Sequence, residues 1–190
     1  MNDIFEVADK VVLITGGSRG LGKAMALEFA GRGAKLAIAS RKIDECQKVA
    51  EQINQSGGEA LAVQCHVGNW DTLEAVVDQV VEHYGRLDVL VNNAGMSPVA
   101  PSLLEISEAL FDKIIDVNLK GPTRLTALAA TKMAETGGGS IINISSLASY
   151  RPTPLTTVYS AAKAGLNALT AASAQEYAPH NVRINCIVCG

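Results

Sequence analysis

Short runs of aliphatic and β-branched residues recur along this chain, separated by stretches whose apolar positions fall at helical spacing, and that alternation restricts the fold more tightly than any other feature. Candidate strands are Val11–Thr15, Lys35–Ser40, Ala60–Cys65, Leu87–Val91, Ser140–Ser145 and Val182–Val188. They read as near-continuous apolar runs, the pattern of strands covered on both faces. Between them, Ile43, Cys46, Ala50 and Ile53 form one helical stripe, halted by Gly57-Gly58. Leu73, Val76, Val77, Val80, Val81 and Tyr84 form another, halted by Gly85. Strand, helix and strand in repetition require right-handed crossovers and hence an α/β fold with a doubly wound parallel sheet. In such a sheet ligands bind beyond the carboxyl ends of the strands, at the point where the strand order reverses.

The 190 residues amount to one domain, with no linker or repeat to divide residues 1–190. A hydrophobic fraction of 48% and a net charge of -3 exclude disorder. Without Lys/Arg runs the chain has no electrostatic footprint for nucleic acid or anionic lipid. No apolar stretch approaches the roughly 18–20 residues that cross a bilayer. Asp3, Glu6 and Asp9 ahead of the short run Val11–Ile14 do not read as a signal peptide. Four cysteines outside any dense framework point to a reducing cytoplasm.

The residues with chemical potential follow the strands. After the first comes Thr15-Gly16-Gly17-Ser18-Arg19-Gly20-Leu21-Gly22, opening a helix. Glycines there let backbone N–H groups approach a pyrophosphate, and the helix N-terminus offers partial positive charge; a tight turn is the plain alternative. The second strand ends in Ala39-Ser40-Arg41, without the carboxylate that would hold a ribose 2′-OH. Arg41 and Arg19 suit a 2′-phosphate instead, which favours NADP over NAD, although Arg41 also reads as a solvated charge. The fourth strand runs into Asn92-Asn93-Ala94-Gly95, whose small residues permit close approach of a ligand or simply make a turn. Tyr159 and Lys163 share a helix face at i,i+4, which brings an ammonium near a phenol. A neighbouring cation favours phenolate, and a tyrosine so placed can act as a general acid/base; a packed aromatic beside a solvated charge is the plain alternative, outweighed by the other motifs at the strand ends. Ser146, just beyond the fifth strand, offers a hydroxyl to a substrate carbonyl.

In their order, Thr15-Gly16 with Gly20 and Gly22, Asn92-Asn93-Ala94-Gly95, Asn118, Ser146, and Tyr159 with Lys163 make the chain resemble the short-chain dehydrogenase/reductase family, in its classical subgroup, over all 190 residues. The resemblance implies a Rossmann fold and an oxidoreductase that moves a hydride between NADP(H) and a small-molecule carbonyl or secondary alcohol. Gly16, Ser18, Arg19, Gly20, Leu21, Gly22, Arg41, His66, Val67, Asn93, Ala94 and Gly95 would line the cofactor. Tyr159 would act on the substrate oxygen, Ser146 would position it, Lys163 would bind the nicotinamide ribose, and Asn118 would hold a proton-relay water. No metal is implied, and family habit implies a homo-oligomer. The rival reading is a catalytically idle dinucleotide-binding or interaction protein.

Two departures stand out. After the third strand the family has Asp-Val, whose carboxylate accepts from the adenine amino group; here it is His66-Val67, and a neutral imidazole accepts one bond where a charged one accepts none. The family also continues past the sixth strand into a substrate lid and a further strand, so a chain ending at Cys189-Gly190 is expected to leave that strand as an apolar edge. Cys186 and Cys189 have C-x-x-C spacing, but an odd separation in a strand sends the thiols to opposite faces. His83 and His180 read as surface histidines, and Trp70 as packing or capping. Finally, residues 107–135 read as one long helical stretch with Pro122 in its interior, whose missing N–H either frees the Asn118 carbonyl for a relay water or makes a kink used only for packing.

Overall fold

The computed structural model describes residues 6–190, so Asp3 lies outside the described residues. Strands β1 (Val11–Thr15), β2 (Lys35–Ser40), β3 (Glu59–Gln64), β4 (Val89–Asn92), β5 (Gly139–Ser146) and β6 (Val182–Cys189) pair in the order β3-β2-β1-β4-β5-β6. Every pair is parallel. The strand order reverses at β1, so the switch point falls between β1 and β4. Strand ends differ from the sequence reading by one or two residues, the usual uncertainty of a boundary.

Alternate residues of β1 divide the core. Val12 and Ile14 face a cluster built with helices α1 (Gly20–Gly31) and α2 (Ile43–Gln55). Val11 and Leu13 face the larger cluster of helices α3 (Leu73–Tyr84), α5 (Gly121–Glu135) and α6 (Thr157–Tyr177). The α2 stripe buries Cys46, Val49, Ala50 and Ile53, and Gly85 closes α3 at φ 77°, a backbone state that glycine adopts without strain. At the other end of β1, the buried Asp88 carboxylate accepts the Val11 N–H at 2.9 Å and is gripped by the Arg86 guanidinium, as close as 2.6 Å.

One expectation is corrected and another is refined. β1 and the middle of β2 are buried throughout, but β6 alternates: Val182 and Ile184 are buried while Arg183, Asn185, Ile187 and Val188 are exposed. It is the outermost strand, with helices on one face only, so an apolar run here does not mean two covered faces. The stretch at 107–135 is helical without a break over 108–135, as expected, but it is not regular α-helix throughout. Helix α4 (Glu108–Ile115), capped by the Ser107 hydroxyl accepting the Leu110 N–H at 3.2 Å, passes into a π-helical turn over Asp116–Lys120 before α5 begins. The Gly121 N–H reaches the Asp116 carbonyl, five residues back. Pro122 follows the wide turn inside this continuous helical run, so position 122 has no N–H to offer the Asn118 carbonyl four residues back.

The β6 edge carries Ile187 at 50% and Val188 at 37% exposure. A charge there blocks strand-to-strand association, so Ile187→Lys in this 190-residue polypeptide is expected to lower its self-association without lowering its melting temperature, as sedimentation velocity over a concentration series reads. An unchanged association constant would show that the edge is not the contact.

Candidate functional site

A buried hydroxyl joins the two central strands at the switch point. Thr15 Oγ1 donates to the Val91 carbonyl at 3.3 Å and accepts the N–H groups of Asn93 and Ala94 at 3.0 and 3.1 Å. The Asn93 amide returns the contact, donating to the Thr15 carbonyl at 2.9 Å and the Gly16 carbonyl at 3.3 Å. The glycine turn therefore lies against the Asn92-Asn93-Ala94-Gly95 segment. Gly16 has φ +66°, and a side chain on Gly22 would collide with the Gly16 carbonyl, so α1 packs backbone to backbone on the turn it leaves. No side chain caps α1 and no acid occupies its first turn. Its free N–H groups open on a cavity of about 600 Å³.

All the cofactor residues singled out from sequence, apart from Tyr159 and Lys163, line this cavity: Gly16, Ser18, Arg19, Gly20, Leu21 and Gly22 below the helix, Arg41 beside β2, His66 and Val67 past β3, and Asn93, Ala94 and Gly95 past β4. Arg19 and Arg41 are exposed. Sequence reasoning missed Ser40, Lys42, Glu45, Cys65, Met96 and Val117, which also line it. Proximity to the strand ends was their only signal. The Ser40 hydroxyl is already engaged, donating to the Lys42 carbonyl at 3.3 Å and lying 3.0 Å from the Cys46 thiol. A larger cavity of about 1200 Å³ opens at the amino ends of the strands, between Lys10, Arg86 and Gly138. None of the candidate cofactor or catalytic residues lines it.

Two of the catalytic candidates, Asn118 and Lys163, meet beside Gly95. A side chain on Gly95 would meet Asn118 Oδ1 at 3.1 Å and Lys163 Nζ at 3.7 Å. Lys163 is only 4% exposed, donates to the Ile144 carbonyl at 2.7 Å and holds its Nζ 5.9 Å from the centre of the Tyr159 ring. Burial pushes its pKa down to about 8, against a smaller upward pull from the Cys186 and Cys189 thiols. Tyr159 is half-buried against Ile114, Val158 and Ala162. The Ser146 hydroxyl accepts the Ala148 N–H at 3.2 Å, while the Ser146 carbonyl accepts from Ser149 at 2.7 Å. Asn118 is fully buried, and its side-chain amide is spent on Met96 and Ile114: Nδ2 donates to both carbonyls at 2.9 Å and Oδ1 accepts the Met96 N–H at 3.2 Å.

His66 is exposed, and its Nδ1 accepts the Gly68 N–H at 3.2 Å. The single acceptor that a neutral imidazole offers is therefore already used. Cys186 donates its thiol hydrogen to Asn167 on α6 at 3.2 Å, whereas Cys189 packs on the α1 side, so the C-x-x-C pair does straddle the sheet. The Arg124 guanidinium stacks 5.2 Å over Trp70.

The model of the short chain dehydrogenase family matches residues 10–190. This chain belongs to that family. It is 35% identical to dehydrogenase/reductase SDR family member 4 of Pongo abelii over 97% of its own length and 66% of that protein's. It is 42% identical to an uncharacterized oxidoreductase of Thermotoga maritima over 95% of its own length and 71% of that protein's. Two solved structures superimpose closely. A short-chain type dehydrogenase/reductase from Mycobacterium marinum does so with a TM-score of 0.93 at 36% identity, covering 98% of this chain and 74% of that one. A metagenomic short-chain oxidoreductase in complex with NADP also gives 0.93 at 36% identity, covering 97% and 84%. The chain spans about two thirds of the length of the curated relatives it matches. Among the described residues, no helix of this family member is long and apolar enough to cross a membrane.

The buried ammonium makes a pH prediction. Unfolded, Lys163 keeps its proton to about pH 10.4, but folded it releases it near 8. The unfolded chain thus binds more protons between those values, so burial of Lys163 opposes folding below pH 8 and the opposition fades as pH rises above it. Relative to Lys163→Met, the wild-type unfolding free energy should rise by on the order of 3 kcal/mol from pH 8 to 10.4, as urea titrations at a series of pH values read. Parallel curves for the two proteins would refute it.

Proposed function

We propose that this short-chain dehydrogenase family member is an oxidoreductase that interconverts a small-molecule carbonyl and a secondary alcohol with NADP(H), Tyr159 acting as general acid/base. One observation carries the reading: a buried lysine and a half-buried tyrosine one turn apart on α6, with the lysine ammonium beside Gly95, where the cavity meets the end of β4. The donor set fits a dinucleotide, since α1 presents uncapped N–H groups free of any neighbouring acid to a pyrophosphate. Arg41 and Arg19 at the β2 end suit a 2′-phosphate. When bound, the nicotinamide supplies or accepts the hydride.

The protein's own groups do the rest. Lys163 has three N–H donors, one of them held by the Ile144 carbonyl, which leaves one for a ribose hydroxyl and one for a relay water. Because Ser146 Oγ accepts the Ala148 N–H, its hydrogen is free to donate to a carbonyl oxygen and hold it for Tyr159. Tyr159 gives its phenolic proton to that oxygen in reduction and takes it back in oxidation. With the Asn118 side chain spent, its main-chain carbonyl, denied a donor by Pro122, is the acceptor left for a water that resupplies the proton through Lys163. The exposed face of α4, with Phe111 at 47% exposure, suits a homo-oligomer, and the free cysteines suit the cytoplasm.

Tyr159→Phe is expected to lower kcat by roughly two to four orders of magnitude while leaving the NADPH dissociation constant within about twofold, and Lys163→Ala to damage both. NADPH oxidation at 340 nm over a panel of ketones and β-keto thioesters reads the first, fluorescence titration the second. Bound NADPH without turnover anywhere in the panel would favour the idle binder. For the cofactor, Arg41→Asp should shift the ratio of NADPH to NADH dissociation constants toward NADH by about 10- to 100-fold, the scale of a charge-assisted hydrogen bond. An unchanged ratio would remove Arg41 from the 2′-phosphate.

A further inference from the structure

The strand order lays the proposed cofactor out along the sheet edge. Tyr159 and Lys163 stand past β4 and β5, and the glycine turn stands past β1. The base of a dinucleotide whose nicotinamide faces Tyr159 then falls at the opposite end, past β3, where His66 is the exposed polar side chain on the cavity wall. The hydrogen-bonding character of His66 is fixed by its own backbone. Its Nδ1 accepts the Gly68 N–H, and the Asn69 N–H closes the same turn on the His66 carbonyl at 2.8 Å. Gly68 admits the ring because it lacks a side chain: a Cβ there would lie 3.2 Å from His66 Cε1 and 3.3 Å from the Asp116 Cβ. With Nδ1 an acceptor, the proton of a neutral ring sits on Nε2, and a charged ring carries one there as well. In either state the nitrogen left for a ligand donates.

We propose that His66 makes the base end of this cavity a donor-presenting subsite, which recognises a purine through an acceptor on its ring edge rather than through an exocyclic amino group. The inference rests on the dinucleotide reading above. A carboxylate at this position would accept from a 6-amino group and repel a 6-oxo group. The imidazole N–H does neither: it bonds a ring nitrogen of adenine or the 6-oxygen of hypoxanthine equally well. The subsite is therefore expected to take 6-oxo and 6-amino purine dinucleotides alike.

The test is direct binding, by fluorescence titration and calorimetry, of NADPH and of reduced nicotinamide hypoxanthine dinucleotide phosphate to the wild type, His66→Asp and His66→Phe. In the wild type the two dissociation constants should agree within about threefold. His66→Asp should separate them by about tenfold or more in favour of NADPH, the scale of one hydrogen bond to a charged group exchanged for a repulsion. His66→Phe, which keeps a ring but no donor, should weaken both equally. Since His66 is exposed, the variants should melt with the wild type. A wild type that already rejects the hypoxanthine cofactor about tenfold, or a His66→Asp ratio equal to the wild-type ratio, would overturn this inference and leave the dinucleotide reading intact. Failure of both dinucleotides to bind the wild type would overturn the dinucleotide reading and this inference with it.

Discussion

The hydroxyl of Thr15 is the joint on which the site depends. It is saturated, with one hydrogen donated to β4 and two lone pairs taken by consecutive N–H groups of Asn93 and Ala94. Two consequences follow from so small a group. The carboxyl ends of β1 and β4 are fixed in register where the strand order reverses, and both loops that leave those strands are drawn together rather than splayed apart. The Asn93 amide then locks the glycine turn from the other side. Valine has the shape of threonine but would leave the part-buried Ala94 N–H without this acceptor and the Asn93 N–H with only the Val91 carbonyl at 3.0 Å, which is worse than an ordinary lost contact.

Lys163 shows a second constraint, in which folding and chemistry oppose each other. A lysine in a sequence signals a solvated charge, yet this one is tucked against β5 with its ammonium held by a strand carbonyl. Around it the fold supplies polar order: Asn92 donates to Asn143 at 2.9 Å, Asn143 donates to Thr170 on α6 at 2.9 Å, and Ser145 donates to the Lys163 carbonyl at 3.4 Å. These buried bonds pin α6 to the sheet, and so pin the spacing of Tyr159 and Lys163 relative to Gly95. A hydrophobic contact would hold the helix as firmly but would leave its rotation about its own axis less defined.

Which features could be read from the chain depends on how local their causes are. The six strands, their helices and the glycine turn were legible because each rests on periodicity or on a residue type within one element. The shared helix face of Tyr159 and Lys163 was legible for the same reason. The uncovered face of β6 was not, because the sequence of an apolar strand does not record how many layers it touches. The hydrogen bond that turns His66 into a donor was not legible either, because it depends on the conformation of the Gly68 turn rather than on the imidazole.

The π-helical turn is the instructive case, since Pro122 announced a break in the helix but not its form. A kink would have been enough to accommodate the proline. What decides for a wider turn is a contact between distant segments: a side chain on Gly121 would collide with the Val67 carbonyl at the end of the β3 loop, so the helix passes that loop backbone to backbone. The change of register falls on Asp116–Lys120, which carries Asn118. Its amide then bridges the disturbed helix, through the Ile114 carbonyl, to both polar groups of Met96. Met96 follows Gly95, the residue wedged between Asn118 and Lys163. The irregular turn is thus the means by which packing beside β3 is transmitted to the loop after β4, and π-turns are concentrated at functional sites for this kind of reason: they aim a side chain that a regular ladder would point elsewhere.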